Sequence, residues 1–195
     1  VSVIEVSERV LEAMADTKTP QGVVAVLGQF DVNLDDLIDS QPRLVAFLDR
    51  VQDPGNAGTV IRAADASGAD GVVFSTGSVD LYNPKLVRST AGSLLHLPSV
   101  INADPLASVN ALKASGMQVF AAAAGGELIT DIEAELVNPT VWIFGNEAQG
   151  ISPELMEIAD KVVALPIYGD AESLNLATAA SVCLYASAFK QQANR

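Results

Sequence analysis

The chain has one cysteine and one histidine among its 195 residues, and few aromatics. A lone cysteine, Cys183, excludes an internal disulfide and suits a reducing, cytoplasmic setting. Its surroundings, "ATAASVCLYASAF", predict a buried helix in which a small core thiol is the expected role. The single histidine, His96 in "LLHLPS", excludes a histidine-rich centre and reads as a packed or hydrogen-bonded residue at a helix end. With so few soft ligands, no zinc or other metal site is expected. No apolar run reaches the ~18 residues of a membrane span, so no membrane partner is expected. The opening "VSVIEVSERV" lacks the basic start and long apolar stretch of a signal peptide. It also lacks an initial methionine, which gives the expectation of a fragment. Neither G-x-G-x-x-G nor G-x-x-x-x-G-K-[ST] occurs, so the common nucleotide-phosphate loops are absent.

Positive charge is scarce as well. There are 11 Lys and Arg against 24 Asp and Glu, a net charge of −13, and a pI near 4.2. Taken alone this argues against non-specific nucleic-acid binding, which runs on phosphate neutralisation. The charges are unevenly spread, however. From Glu127 to Glu172 there are ten acids and one base, Lys161, whereas Arg43, Arg50, Arg62, Lys85 and Arg88 balance five acids between positions 43 and 88. Any anion site is therefore expected in the first half. The acidic stretch reads as a solvated surface.

What the chain does have is apolar content, 49%, with 18% charged residues, which marks a globular chain with a substantial core. Val3, Val6, Val10 and Met14 share a helical face, and "VVAVLG" (23–28) reads as a strand. "QFDVNLDDLIDSQP" is acidic, lacks a clear period and reads as a linker. After Pro42 the chain alternates. Strands are expected at "RLVAFLD", "GVVFST", "LPSVI", "MQVFAAAA", "TVWIFG" and "KVVALP". Helices are expected from about Ala57 to Ser67, in "PKLVRSTAGSLL" and "DPLASVNALKAS", after the capping Ser152, and from about Ser173 towards Gln192. Strands that are apolar throughout and separated by helices indicate an α/β fold, a parallel sheet flanked by helices.

Ligands of such sheets bind beyond the carboxyl ends of the strands, and three clusters lie there. The first is Asn56-x-Gly58-x-x-x-Arg62. Asn56 is a natural N-cap, and Gly58 and Arg62, four apart, share a face. Two readings stand. The glycine clears a close approach while Arg62 supplies a fork for phosphate or carboxylate, or this is an ordinary capped helix with a surface arginine. The second is "FGNEAQG", in which Gly145 and Gly150 bracket Glu147 in a tight loop. The third is "LPIYGDAESLNLATAA", in which Leu165, Ile167 and Leu174 offer an apolar slot beside the expected helix start at Ser173 and Asn175.

In this order, "NAGTVIRAA", "FGNEAQGI" and "LPIYGDAESLNLATAAS" resemble the three signature motifs of the SpoU/TrmH family of RNA ribose 2′-O-methyltransferases, in the SPOUT superfamily. The resemblance spans residues 41–195, the expected catalytic domain. It also makes residues 1–29 the expected remnant of an N-terminal ribosomal-protein-like substrate-binding domain, with 30–40 as linker. It implies a C-terminal trefoil knot of the SPOUT type, a homodimer with each site near the subunit interface, and S-adenosyl-L-methionine as cofactor. By position, cofactor contacts fall on Ala122, Gly145, Leu165, Ile167, Leu174 and Asn175. Catalytic positions fall on Asn56 and Arg62, with Glu147, Ser173 and Asn175 in support. The implied substrate is structured RNA, ribosomal RNA before transfer RNA. A knotted dimer that binds RNA without catalysis is the alternative. Lys85 and Arg88 read either as phosphate contacts or as parts of an exposed structural helix.

Overall fold

The computed structural model describes residues 2–15, 17 and 19–193. It divides into two units, Val1–Phe30 and Asp31–Arg195.

In the first unit one helix, α1 (Glu8–Met14), follows the extended Ser7, with Glu8 in its first turn. The helical face expected from Val3 onward is shorter, and Val3 and Val6 lie outside it. The strand expected at 23–28 is not formed. A strand must give its backbone N–H and C=O groups to a neighbour, and this unit has none among its described residues. Val3, Ile4, Val23, Val26 and Leu27 are exposed.

The second unit begins with a correction. The segment read as a linker contains a helix, α2 (Leu34–Asp39), whose Leu37 is buried. Asp36 reaches back to the Asn33 N–H at 3.4 Å, so the acids that obscured the period serve the helix start.

Six strands follow: β1 (Leu44–Leu48), β2 (Gly71–Ser75), β3 (Ser99–Ala103), β4 (Gln118–Leu128), β5 (Thr140–Phe144) and β6 (Lys161–Ala164). They form one sheet in the order β3-β2-β1-β5-β4-β6, and every pair is parallel. The expected α/β class and parallel sheet are therefore present. The helices are α3 (Pro54–Ser67), α4 (Pro84–Ser89), α5 (Pro105–Ala114), α6 (Pro153–Ile158) and α7 (Leu176–Gln192).

Successive side chains leave a strand on opposite faces. Leu44, Ala46 and Leu48 therefore join a core with Phe74, Phe120, Trp142, α3 and α7, while Val45 and Phe47 join a second core with Val141, Ile143, α2, α5 and α6. That is why the strands read as unbroken apolar runs. Trp142 stacks edge-on against Phe120 at 5.3 Å and donates its indole N–H to the Ser187 hydroxyl at 2.9 Å, so its one polar atom is satisfied.

Three helix boundaries differ from expectation. α3 opens at Pro54 with Asp53 as its cap, accepting from Asn56 N–H at 2.8 Å, so Asn56 is inside the first turn. The helix expected over 84–95 breaks after Ser89, where Ala91 (φ 50°) and Gly92 (φ 98°) turn left-handed before a short 3-10 turn, Ser93–Leu95. α7 is capped by Asn175, not Ser173, through its Oδ1, which accepts from Ala177 and Thr178 N–H at 2.9 and 3.3 Å.

Chain order reverses between β1 and β5, the place where open parallel sheets leave a crevice for ligands. The segments after β1, β5 and β6 meet there.

Candidate active site

Because Asp53 caps α3, the Asn56 side chain is free to reach sideways. Its Nδ2 donates to Glu147 Oε1 at 3.1 Å, and its Oδ1 accepts from Asn175 Nδ2 at 3.0 Å. One chain of hydrogen bonds thus joins all three sequence clusters. Its polarity is fixed from one end. Asn175 Oδ1 is committed to the α7 amides, so its Nδ2 faces Asn56, which must present oxygen there and nitrogen to the carboxylate.

Glu147 also accepts from the backbone N–H groups of Gln52 and Asp53, each at 3.2 Å. Partial burial opposes its charge most strongly. Even so, its own backbone N–H, the Asn56 amide and the Gln52 and Asp53 amides together hold its carboxyl below the ordinary glutamate range. Glu147 is therefore an ionised acceptor that anchors the start of α3.

The loop carrying Glu147 closes on itself. Asn146 and Gly150 exchange backbone hydrogen bonds at 3.0 and 2.8 Å, and Asn146 Oδ1 accepts from Ala148 and Gln149 N–H. A Cβ on Gly145 would lie 2.2 Å from the Gly150 carbonyl carbon and the Ile151 nitrogen, so the glycine permits this closure.

Gly58 has a role other than the one expected. A Cβ there would sit 1.8 Å from Ser89 Oγ and 2.7 Å from the Leu86 carbonyl. The residue opens the helix to α4, not to an anion. Arg62, four residues on, is exposed, and no hydrogen bond or ion pair joins its guanidinium to another described residue.

Between β4, β6 and the start of α7 lies a cavity of about 180 Å³. Of the expected cofactor contacts, Ala122, Leu165, Ile167 and Leu174 line it, as does Ser173. Gly145, Asn175, Asn56, Glu147 and Arg62 do not. Sequence reading missed Ala123, Ala124, Val163, Glu172, Ala179 and Cys183. The run "AAAAGG" was the available signal: β4 pairs Val163 through both Ala122 and Glu127, so the small residues between them bulge out at the cavity. Cys183 is fully buried, as its sequence context indicated, and burial pushes its thiol up to about 12, which leaves it an inert wall. Glu172 is the one charged lining residue and has no ion-pair partner among the described residues.

Lys85 Nζ stands 3.5 Å from Asp53 Oδ2 at the opening of α3, with both side chains well exposed. His96 Nδ1 lies 3.1 Å from Asp65 Oδ2, away from the cavity lining. Among the described residues no group of three or more His, Cys, Asp or Glu side chains is placed to hold a metal ion, and no helix is long and apolar enough to cross a membrane.

A parallel sheet with a polar bridge at its reversal point and an apolar cavity against β4, β6 and α7 defines an α/β protein with a candidate small-molecule site beside strand-end loops. Residues 43–185 match the SpoU rRNA Methylase family, and the chain belongs to that family. It is 39% identical over 180 residues to the 23S rRNA (guanosine(2553)-2′-O)-methyltransferase RlmP of Bacillus subtilis, covering 92% of this chain and 69% of that protein. It is 35% identical over 179 residues to the 23S rRNA (uridine(2479)-2′-O)-methyltransferase of Streptomyces viridochromogenes, covering 90% and 62%. Among solved structures, the AdoMet-bound rRNA methyltransferase of Sinorhizobium meliloti superposes with a TM-score of 0.85 at 33% identity, over 93% of this chain and 69% of that one. The chain thus spans between three-fifths and seven-tenths of these proteins.

Proposed function

We propose that the chain transfers a methyl group from S-adenosyl-L-methionine to a ribose 2′-hydroxyl of ribosomal RNA, as the two relatives above are named for doing on 23S rRNA. The observation that carries this reading is the hydrogen-bonded bridge Asn175–Asn56–Glu147, which ties the three family segments together beside the cavity.

The residues present fit the cofactor. Ala122, Leu165, Ile167 and Leu174 suit an apolar ring, and the Glu172 carboxylate at the same wall suits a cation. S-adenosylmethionine supplies an electrophilic methyl group on a cationic sulfonium.

Transfer of that methyl would break its bond to sulfur, release the neutral thioether S-adenosylhomocysteine, and pass the ribose hydroxyl proton to solvent. His96 is engaged with Asp65 and outside the lining, so the usual imidazole base is absent from the cavity. Arg62 carries a permanent positive charge, so its role is to clamp a substrate phosphate and stabilise negative charge growing on the ribose oxygen. Ser173, exposed at the cavity with no hydrogen bond to another described residue, is free to orient the sugar or cofactor. Asn56 and Glu147 act by holding the α3 entrance. Their side chains are already committed to each other.

The working form is a homodimer with a C-terminal trefoil knot, acting in the cytoplasm. The dimer is supported by an exposed apolar stripe on α7, where Val182, Tyr185 and Phe189 follow at helical spacing. Residues 1–29 complete a substrate-binding domain, which accords with their exposed valines and leucine.

The test is a calorimetric titration with S-adenosylhomocysteine, with NAD as control, followed by methyl transfer to ribosomal and transfer RNA. Micromolar binding of the first ligand alone and methylation of ribosomal RNA support the reading; no binding by the folded dimer overturns it. Arg62→Ala should lower methyl transfer by roughly 100-fold or more and leave S-adenosylhomocysteine affinity within about twofold. Near-normal turnover in that variant would remove Arg62 from the catalytic set.

A further inference from the structure

Beneath the Glu147 loop lie two adjacent residues of opposite charge, Asp49 and Arg50, that belong to none of the three sequence clusters. Asp49 is the first residue beyond β1, and its side chain is fully buried. A buried carboxylate needs charge-assisted donors, and Asp49 has two sources. The Ser152 N–H donates to Oδ2 at 2.7 Å, and Arg50 donates through Nε at 3.2 Å and Nη2 at 3.4 Å. Arg50 makes this fork from a left-handed backbone, φ 53°, whose N–H donates to Ser75 Oγ at 2.9 Å. Glycine or asparagine adopts that region more readily, so the local backbone preference disfavours arginine. What arginine supplies there is its guanidinium.

The two residues also grip the loop along its length. Asp49 N–H donates to the Phe144 carbonyl at 2.8 Å, where β5 ends. Asn146 Nδ2 donates to the Arg50 carbonyl at 2.8 Å, and Arg50 Nη1 lies 3.4 Å from Gln149 Oε1. Ser152 N–H reaches Asp49 where the loop leaves for α6. Entrance, turn and exit are therefore all referred to one dipeptide, and Glu147 stands between those points with its carboxylate on Gln52, Asp53 and Asn56.

We propose that Asp49 and Arg50 are positioning residues for methyl transfer: as an ion pair whose carboxylate is buried and whose guanidinium reaches the surface, they hold the 145–152 loop at the height where Glu147 orients Asn56 and the start of α3. The proposal rests on the methyltransferase reading above. β1 and β5 are already paired along their whole length through backbone bonds, so the sheet does not need the guanidinium. The loop beyond it does.

The test is Arg50→Gly in the full chain, which removes the fork while relaxing the backbone. Relaxing the backbone offsets only part of the loss of the partner of the buried Asp49 carboxylate, so the thermal midpoint should fall by several degrees while the variant stays folded. Methyl transfer should fall about 10-fold or more in kcat/KM, and exchange of the Ser152 amide should quicken more than that of the β1 and β5 amides. Gln149→Ala is the second variant. Its side chain is exposed, so it removes one loop contact without touching the core, and it should lower kcat/KM severalfold in the same direction. If Arg50→Gly fails to fold, this variant decides. Parent-like kcat/KM, within twofold, in the folded variants overturns the proposal. A parent that binds S-adenosylhomocysteine but shows that result condemns the clamp alone, whereas a parent that binds no cofactor condemns the methyltransferase reading.

Discussion

Asn175 Nδ2 lies 3.0 Å from Asn56 Oδ1, although 119 positions separate the two residues. One is the cap of the last helix, and the other sits in the first turn of the helix after β1. Through Asn56 the cap of α7 is wired to Glu147, so the loops that follow β1, β5 and β6 are held as one body. Each amide here has both polar ends occupied, and a reversal of either would set oxygen against oxygen or nitrogen against nitrogen. The site is therefore organised before any ligand arrives, which is what a reaction sensitive to sub-ångström alignment needs.

Asn56→Asp tests that wiring. The new carboxylate would face Glu147 where an N–H donor stood, and two carboxylates in contact raise the pKa of one of them. Methyl transfer should fall by about 100-fold near pH 8 and recover in part as pH is lowered, because a protonated aspartate can donate again. The parent behaves oppositely. Glu147 has a depressed pKa, so its contribution to the folded state is present above the ordinary glutamate value and is lost as pH falls through the lower folded one. A pH–rate profile of both proteins checks this; parallel profiles would count against the bridge.

Gly58→Ala tests what the helix glycine is for. The added methyl would collide with Ser89 Oγ and the Leu86 carbonyl, and α4 must move away from α3. A loss of about 2 kcal/mol is expected, or roughly 4–8 °C in a chain of this size. Adding Ser89→Gly should restore only part of it, since the carbonyl remains. A denaturant midpoint equal to that of the parent would contradict this packing.

Much of the second unit was readable because burial on both faces makes its strands continuously apolar, as in "LVAFL" and "TVWIF". The strand order was not readable, since it depends on contacts far apart in sequence. Helix starts were misplaced where two cap-forming residues compete. Asp53 and Asn56 both suit the role, as do Ser173 and Asn175, and only the tertiary partner of the spare residue decides between them. Of the residues named from the family segments, Ala122, Leu165, Ile167, Ser173 and Leu174 line the cavity and Asn56, Glu147 and Asn175 form the bridge, but Asp49, Arg50 and Glu172 were passed over. A buried carboxylate next to a left-handed arginine leaves no periodic signature, and a lone glutamate in an acidic stretch looks like solvated surface. The linker reading failed for a related reason: acids at a helix start blur its period while stabilising it.

Glu172→Gln tests the charge of the cavity wall. Glu172 is the only charged residue lining it among the described residues, and S-adenosylmethionine carries one more positive charge than S-adenosylhomocysteine. The carboxylate should therefore favour the substrate form and help release the spent one. Removing its charge should weaken S-adenosylmethionine binding roughly two- to fivefold, as for an exposed ion pair, and leave the product within that margin. The difference should shrink with added salt. Equal losses for both ligands would mean that Glu172 acts by shape or hydrogen bonding and not by charge.

Phe189→Glu tests the surface assigned to the dimer. The Phe189 side chain is 68% exposed and packs beside Tyr185 at 5.5 Å between ring centres, while the Tyr185 hydroxyl is tied to the Ala66 carbonyl on α3. This aromatic pair is therefore fixed in place yet open to solvent, as an interface anchor would be in a separated subunit. A carboxylate at its centre would have to be desolvated against the apolar side chains of the same patch on a second copy. Sedimentation should show the parent as a dimer, and the variant's dissociation constant should rise by roughly 30-fold or more. The isolated subunit should keep its helical signal, because Phe189 contributes little to the core. If the variant stays dimeric at micromolar concentration, the α7 stripe is not the interface and the dimer must be sought on another face.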